Sequence, residues 1–263
     1  IDSFADLTAD ETRKIELFDE HGFPAKARSM KAALVVYRLQ SDSKIVIEYR
    51  DIETVDGKAV KDHAERAVKI WQELSSEHSP EGEARRIVDE SERFDYGVRE
   101  TGFTLYQGLP LRRDCANDFH FQERERATIN GHAVRTFAYT QLHPCNAVQY
   151  ALAVPNAYVG SPLVQHGTLW LDADTGQIVR EYRDVYVGAA NSSGWRVAHM
   201  EFDYADSSFG LLLPSAIRLE TYYPEMSVGN ISRLPMVTRI TQTYGPFSRF
   251  EVDVNVKNAV AKD

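Results

Sequence analysis

The sequence predicts a mainly β protein with two helices, in which an antiparallel meander forms one curved sheet. Short alternating apolar segments recur along most of the 263 residues, and loops rich in Gly, Pro, Asn and Asp separate them. The apolar spacing changes to a helical period only between residues 62 and 94. Tyr and Phe, which favour strands, are plentiful at 13 and 12 copies.

The first third of the chain predicts strands joined by turns. Alternation predicts strands within residues 12–57, at 12–19, 28–38 and 44–55. Ser41-Asp42-Ser43 is expected to turn the chain between the second and third, and Asp56-Gly57 is a hairpin signal.

A helical pair is predicted at 62–94, with helices near 62–77 and 80–94. Asp62 can cap the first helix, with Glu65 three residues later as in a capping box. Ser79-Pro80 opens the second, because Pro is tolerated in a first turn. The apolar stripe of the first helix is Ala64, Ala67, Val68, Trp71 and Leu74. We expect these helices to cover one face or mouth of the sheet.

From residue 99 to 257 the pattern again predicts strands. They are expected near 100–106, 117–129, 132–144, 147–154, 166–172, 177–187, 195–204, 211–223, 235–244 and 247–257. Short connections between sequential strands favour an antiparallel meander. Because no low-complexity linker interrupts the chain, we expect residues 1–263 to form a single domain.

Two cysteines, Cys115 and Cys145, flank a strong hairpin signal at Asn130-Gly131. In a two-residue turn, Ile129 faces His132, so the numbers of facing residues sum to 261. The numbers of the two cysteines sum to 260, one residue out of register, so one bulge, expected beside Pro144, would align the thiols. The register predicts a disulfide and an oxidising compartment; two free thiols that lie close by chance are the alternative.

Composition and motifs exclude several classes of function. A net charge of −9 without a basic stripe argues against nucleic-acid binding, and the sequence contains no transmembrane segment. The run from Asp172 to Gly176 resembles the start of a calcium loop, but a hairpin turn explains it without the later ligands that it lacks. No metal site, cofactor motif or catalytic set is predicted, so we expect a non-enzymatic protein.

The segment Gly167 to Arg180, with its strand–Asp-x-x-Thr-Gly–strand hairpin, resembles the bacterial lipoprotein-carrier superfamily of the LolA/LolB type. Val197 to Tyr204 and Leu211 to Tyr223 look like the long meander strands that follow in that superfamily. The segment Glu48 to Lys58, with the two helices ending at Phe94, looks like uncharacterised secreted proteins of acidobacterial type. The superfamily implies an incomplete β-barrel, closed by helices around an apolar cavity that holds acyl chains.

Two functional hypotheses follow. The first is a periplasmic or extracellular carrier or binder of a lipid or other acyl-chain ligand, with a cavity lined by Trp71, Leu169, Leu171, Ile178, Met200 and Phe202. The second is a structural or accessory subunit of a periplasmic or cell-surface assembly, with a protein partner contacted through the stretch from Tyr222 to Pro235. The chain begins Ile-Asp-Ser without Met, which is expected either after removal of a leader peptide or where a given sequence starts within a longer chain.

Overall fold

The computed structural model of the protein describes ten segments of the chain. They are residues 6–39, 41–42, 45–74, 79–96, 108–113, 115–143, 145, 163–187, 195–222 and 236–249. The strands predicted at 100–106 and 147–154 lie outside these residues, as do most of the strand predicted at 247–257 and nearly all of the predicted contact loop after Tyr222.

Thirteen strands and two α-helices make up the described fold. The helices are α1 (His63–Leu74) and α2 (Pro80–Ser91). The strands before them are β1 (Leu7–Phe18), β2 (Pro24–Arg38), β3 (Val46–Val55) and β4 (Lys58–Ala59). The strands after them are β5 (Phe119–Glu123), β6 (Ala127–Ile129), β7 (His132–Gln141), β8 (Leu163–Asp172), β9 (Ile178–Val187), β10 (Trp195–Asp206), β11 (Leu212–Tyr222), β12 (Met236–Tyr244) and β13 (Ser248–Arg249).

All strands belong to one antiparallel sheet in the order β4-β3-β2-β1-β12-β11-β10-β9-β8-β7-β5, with β13 beside β1 and β6 beside β7. Most neighbours are consecutive in the chain, as in a meander, and β12 returns to pair with β1 along seven residue pairs. The described strands leave the sheet open, with β3 and β4 at one edge and β5 and β6 at the other. The predicted mainly β fold, with two α-helices and an incomplete barrel, is confirmed.

One face of the sheet, here called the inner face, carries the main apolar core. Its central residues are Ile15 on β1, Met200 and Phe202 on β10, Leu219 on β11 and Ile240 on β12, all nearly inaccessible to solvent. Strand pairing places Phe202 opposite Ile217, and Met200 opposite Leu219. The alternation of the sequence therefore turns one apolar row of each strand inward, as a period of two requires.

The two helices lie along the β3 edge and pack on the opposite face, here called the outer face. Trp71 of α1 stacks edge-on against Tyr37 and Tyr49, with ring centroids 4.8 and 5.3 Å away. In α2, Ser91 accepts a hydrogen bond at its Oγ from the backbone N–H of Arg50, at 3.0 Å. The pair thus covers a strand edge that is otherwise unpaired along most of its length. Within the described residues no helix is long and apolar enough to cross a bilayer.

The chain turns over this edge after α2 and reaches the inner face. Phe94 packs against the inner core, and Asp95 is buried beside Arg13 of β1. The expectation that the helices themselves would lie across the inner face therefore needs correction. Their apolar stripes pack against the outer-face aromatic residues, and the segment that follows them enters the inner side.

The hairpins follow the predicted turn chemistry. Asn130 and Gly131 both have positive φ, at 51° and 87°, and Ile129 pairs with His132 as predicted. At the Asp172–Gly176 turn, Asp172 Oδ1 accepts hydrogen bonds from the backbone N–H of Asp174 and from Thr175. These bonds hold the carboxylate in the turn itself, which confirms a turn in place of a calcium loop.

Candidate functional site

The inner face between β8 and β12 is the candidate ligand-binding surface. Leu169, Met200 and Phe202, three of the residues predicted to line a cavity, are fully buried on it. Leu171 and Ile178 pair with each other and are half-buried at the end of β8 and β9. These five residues belong to two apolar clusters that meet at Ile178.

Trp71, the sixth predicted residue, lies elsewhere. It packs between the outer-face rings of Tyr37 and Tyr49 and belongs to the cluster under α1 and α2. The structure therefore brings five of the six predicted residues to one face and places Trp71 on the other. The reason is that an amphipathic stripe shows which side of a helix is buried, but not which face of the sheet buries it.

A buried ion pair interrupts the apolar inner face on β9. Glu181 accepts hydrogen bonds from the Arg183 guanidinium, at 2.9 Å from Nε and 2.6 Å from Nη2. The Tyr139 hydroxyl and the Gly108 backbone N–H donate to the same carboxylate, each at 2.9 Å. Burial opposes the Arg183 charge, but Glu181 outweighs it and raises the pKa of Arg183. Arg183 therefore stays charged, and its guanidinium is enclosed together with the Glu181 carboxylate.

Tyr139 reaches Glu181 because Gly167 leaves room for its ring. Tyr139 pairs directly with Gly167 across β7 and β8. A Cβ atom at Gly167 would stand 2.4 Å from the Tyr139 ring and 2.2 Å from the Tyr182 carbonyl oxygen. Burial, and then the neighbouring Glu181 charge, raise the pKa of Tyr139 well above its ordinary value. The hydroxyl therefore keeps its proton and acts as a donor.

Two polar side chains on this face have no partner within the described residues. Both amide atoms of Gln165, on β8, are buried without a hydrogen bond, so exchanging the oxygen and nitrogen does not satisfy them. The Tyr204 hydroxyl, on β10, is likewise buried and unpaired. Burial and the Glu181 charge raise the pKa of Tyr204 well above its ordinary value, so this group is a neutral donor and acceptor.

A second ionic cluster lies on the inner face near the β3 edge. Arg50 binds Glu11 through two hydrogen bonds, Nε to Oε2 at 2.5 Å and Nη2 to Oε1 at 3.0 Å. The same Nη2 donates to Glu48 at 2.9 Å. Burial disfavours the guanidinium charge, but the two carboxylates raise the pKa of Arg50 well above its ordinary value. Beside it, Arg13 binds Asp95, whose pKa burial raises even though Arg13 opposes the shift.

The predicted disulfide joins Cys115 to Cys145, with Cα atoms 5.5 Å apart. The pairing requires a register shift of one residue, as predicted. The shift occurs at Arg124–Arg126, between β5 and β6. Residue numbers sum to 261 in the pair Ala127–Val134 and to 260 in the pair Phe119–Gln141. Pro144, where we expected the irregularity, lies outside the described residues. The disulfide packs with Leu109, Phe119 and Leu169 over the end of the inner face.

No group of three or more His, Cys, Asp or Glu side chains within the described segments has the geometry to hold a metal ion. Between β8 and β12, the polar chemistry of the inner face is that of the Glu181–Arg183 ion pair and of uncharged hydrogen-bonding groups. The cluster near the β3 edge instead sets two arginines against three carboxylates. The surface between β8 and β12 can bind a ligand by burial and hydrogen bonding without covalent chemistry.

The sequence did not point us to the buried charges, although it contains a signal for them. Glu181 and Arg183 alternate in phase with Val179 and Val185, which are buried on the inner face. Glu11 and Arg13 likewise fall in phase with Ile15 on β1. Opposite charges that replace apolar residues in a continuous inward row indicate a buried ion pair.

Comparisons with known proteins give matches by structure only. No protein-family model and no curated protein sequence matches the chain. A DUF1329 family protein from Desulfovibrio piger is similar, with 12% identity, a TM-score of 0.39 and coverage of 98% of this chain and 90% of that one.

Two further structures belong to the group that the sequence resemblance predicts. An outer membrane lipoprotein-sorting protein domain from Vibrio parahaemolyticus has 9% identity and a TM-score of 0.39, covering 97% of this chain and 88% of that one. A LolA superfamily protein from Nitrosomonas europaea has 9% identity and a TM-score of 0.35, covering 95% and 88%. A LolA superfamily protein and a lipoprotein-sorting domain are thus among the solved structures to which the chain is similar.

Proposed function

We propose that the protein is a non-catalytic extracytoplasmic binder or carrier of a lipid-like ligand, which occupies the inner face of the open sheet. One observation carries the proposal. The apolar inner face between Leu169 on β8 and Ile240 on β12 contains polar groups of Gln165 and Tyr204 that have no partner among the described residues, and the helices pack on the other face. A buried polar group without a partner costs about 1–3 kcal/mol, and a ligand that pairs with it removes that cost.

The chemistry of this face supports one class of ligand. Burial of apolar area stabilises binding by about 25 cal/mol per Å², which favours an acyl chain or a comparable apolar body. Among the described residues of the inner face between β8 and β12, the charges of Glu181 and Arg183 neutralise each other, so this part of the face presents no unpaired charge to an ionic head group. An uncharged group that both donates and accepts, such as the hydroxyl or ester of a glyceride, is complementary to Gln165 and Tyr204.

The disulfide supports the proposed compartment. Cys115 and Cys145 are bonded, and structural disulfides persist in oxidising compartments such as the periplasm or the extracellular space. A lipid in such an aqueous compartment needs an apolar surface to shield it, which is the task that the inner face would perform.

A binding experiment on near-isosteric variants tests the proposal. A fluorescent acyl-chain probe is displaced with a monoacylglycerol and with an alkane of equal chain length. For Tyr204→Phe and Gln165→Met we expect a 3- to 10-fold weaker affinity for the monoacylglycerol, about one hydrogen bond each, and an unchanged affinity for the alkane. Folding stability should stay equal or rise, because no intramolecular bond is lost.

Tyr37→Phe is the matched control. Its hydroxyl donates to Glu83 on the outer face at 3.1 Å, so removing it should lower stability by about 1 kcal/mol and leave probe binding unchanged. Absence of probe binding to the wild-type protein would overturn the proposal. Equal loss of both ligands in the Tyr204 variant would overturn the assignment of the polar group.

A further inference from the structure

A polar groove lies on the outer face, away from the proposed ligand surface and from the helices. It has a volume of about 480 Å³ and follows three neighbouring strands, β1, β12 and β11. Strand pairing places Thr241 between Lys14 on one side and Arg218 on the other. Two long cationic side chains thus flank a short hydroxyl side chain, and this difference in length forms the groove.

The carboxylates of the groove already have partners. Glu220 accepts hydrogen bonds from Tyr222 at 2.6 Å, from Arg218 at 2.5 Å and from Arg239 at 3.0 Å. Burial would raise the pKa of Glu220, but these donors outweigh burial and lower it to about 2. Glu16 accepts from Lys14 at 2.7 Å. Glu220 is therefore ionised, and both carboxylates already accept hydrogen bonds.

Many donors remain unused. Within the described residues, Arg218 engages one of its five N–H groups, and its buried Nε has no partner. Lys14 engages one of its three. The hydroxyls of Thr241 and Thr243 form no hydrogen bond with any described residue. The groove therefore presents free hydrogen-bond donors to a ligand.

The cationic side chains of the groove are also more exposed than the acidic ones. The side chains of Lys14, Arg218 and Arg239 are 48%, 41% and 30% exposed. Those of Glu16 and Glu220 are 19% and 8% exposed. The three cations are therefore more exposed to solvent than Glu16 and Glu220, which lie beneath them, so the outer rim of the groove is cationic. Glu201 stands beyond Arg218 on β10, where His199 is its hydrogen-bonding partner.

We infer that this outer groove binds a tetrahedral oxyanion of the phosphate class, held between Lys14 and Arg218 over Thr241. A guanidinium offers paired donors that match phosphate oxygens, a lysine adds a point charge, and the threonine hydroxyl donates from the floor. The volume also admits the group to which a phosphate is attached. Inorganic phosphate and a glycerol phosphate head group share this chemistry.

The experiment titrates inorganic phosphate, and separately glycerol phosphate, into the full chain at low ionic strength and follows binding by calorimetry. Lys14→Gln/Arg218→Gln should weaken phosphate binding at least tenfold. The control Arg135→Gln removes an arginine that is 45% exposed and paired with Glu123 elsewhere on the sheet, and should leave the affinity unchanged. Tighter binding of glycerol phosphate than of phosphate would identify a head group as the source.

A variant that is expected to bind phosphate more tightly separates an effect on binding from an effect on folding. Glu16→Gln removes a negative charge beside Lys14 and should tighten phosphate binding severalfold, a result that loss of folding cannot produce. Failure of wild type to bind phosphate, or equal weakening by the Arg135 control, would overturn the inference. Neither outcome bears on the inner-face ligand, whose probe affinity should be the same in all these variants.

Discussion

Substituting Glu181 and Arg183 tests directly whether these two buried charges stabilise the fold by compensating each other. Glu181→Gln keeps the shape of the side chain but removes the charge that balances Arg183, which is fully buried. Arg183→Met removes the cation and leaves the carboxylate with Tyr139 and the Gly108 N–H as donors. The double variant carries neither charge.

The expected magnitudes follow from burial. An uncompensated charge at a buried site costs about 3–5 kcal/mol, so each single variant should lose that much of the free energy of unfolding. Replacing both charges together is often close to neutral. The double variant should therefore be more stable than either single variant, with a coupling energy of about 3 kcal/mol or more.

Urea denaturation followed by circular dichroism measures this cycle. With a slope of about 2–3 kcal/mol per M, each single substitution should lower the midpoint by about 1–2 M, and the double variant should recover most of that. A single variant that fails to fold while the double variant folds gives the same answer. If the double variant lost as much free energy of unfolding as the two single variants together, the claim that each buried charge compensates the other would be refuted.

Three further predictions concern packing, covalent structure and pH. Gly167→Ala should destabilise the protein by at least about 1–3 kcal/mol in thermal unfolding, because the new methyl would meet the Tyr139 ring at 2.4 Å; an unchanged melting temperature would contradict this packing. Replacing both cysteines with alanine should cost about 3–4 kcal/mol in urea unfolding, because the bond closes a loop with a sequence separation of 30; a loss near zero would argue against the bond. A hydrogen bond from His199 to Asp184 raises the pKa of His199 above 6.5, so protonated His199 stabilises the folded state. This contribution to folding stability is complete below pH 6.5 and is lost as pH rises through the folded-state pKa. Melting temperature should therefore fall less between about pH 6 and pH 8 in His199→Gln than in wild type, and an identical fall in both would exclude this role for His199.

Local chemistry predicted much of the fold. Asn130-Gly131 and Asp56-Gly57 form turns with positive φ, and α1 and α2 begin within a residue of the predicted starts. These features depend on a few adjacent residues, whose backbone preferences require little help from contacts distant in sequence.

Longer-range features were harder to predict. The β1 strand begins at Leu7, five residues before our prediction, because the charges of Glu11 and Arg13 hid an inward row. The partner of Glu11 is Arg50, which is 39 residues away, so no local pattern reveals that these charges are compensated. The register shift at Arg124–Arg126 falls among exposed charged residues, where alternation carries no hydrophobic signal.

The side of the sheet on which the helices pack also depends on contacts distant in sequence. The apolar stripe of α1 predicts that Trp71 is buried but not where, and the stripe meets Tyr37 and Tyr49 on the outer face. The five residues placed on the inner face, by contrast, come from strands whose alternation fixes which side each residue faces.

Native mass spectrometry of the protein purified from its own host tests the central claim most directly. The proposed function predicts a population carrying one added mass, which fragmentation identifies as an acyl-chain lipid with an uncharged hydrogen-bonding head group. Tyr204→Phe, prepared in parallel, should retain less of it. A wild-type protein that is uniformly free of lipid, or that carries a protein subunit in its place, would contradict the claim.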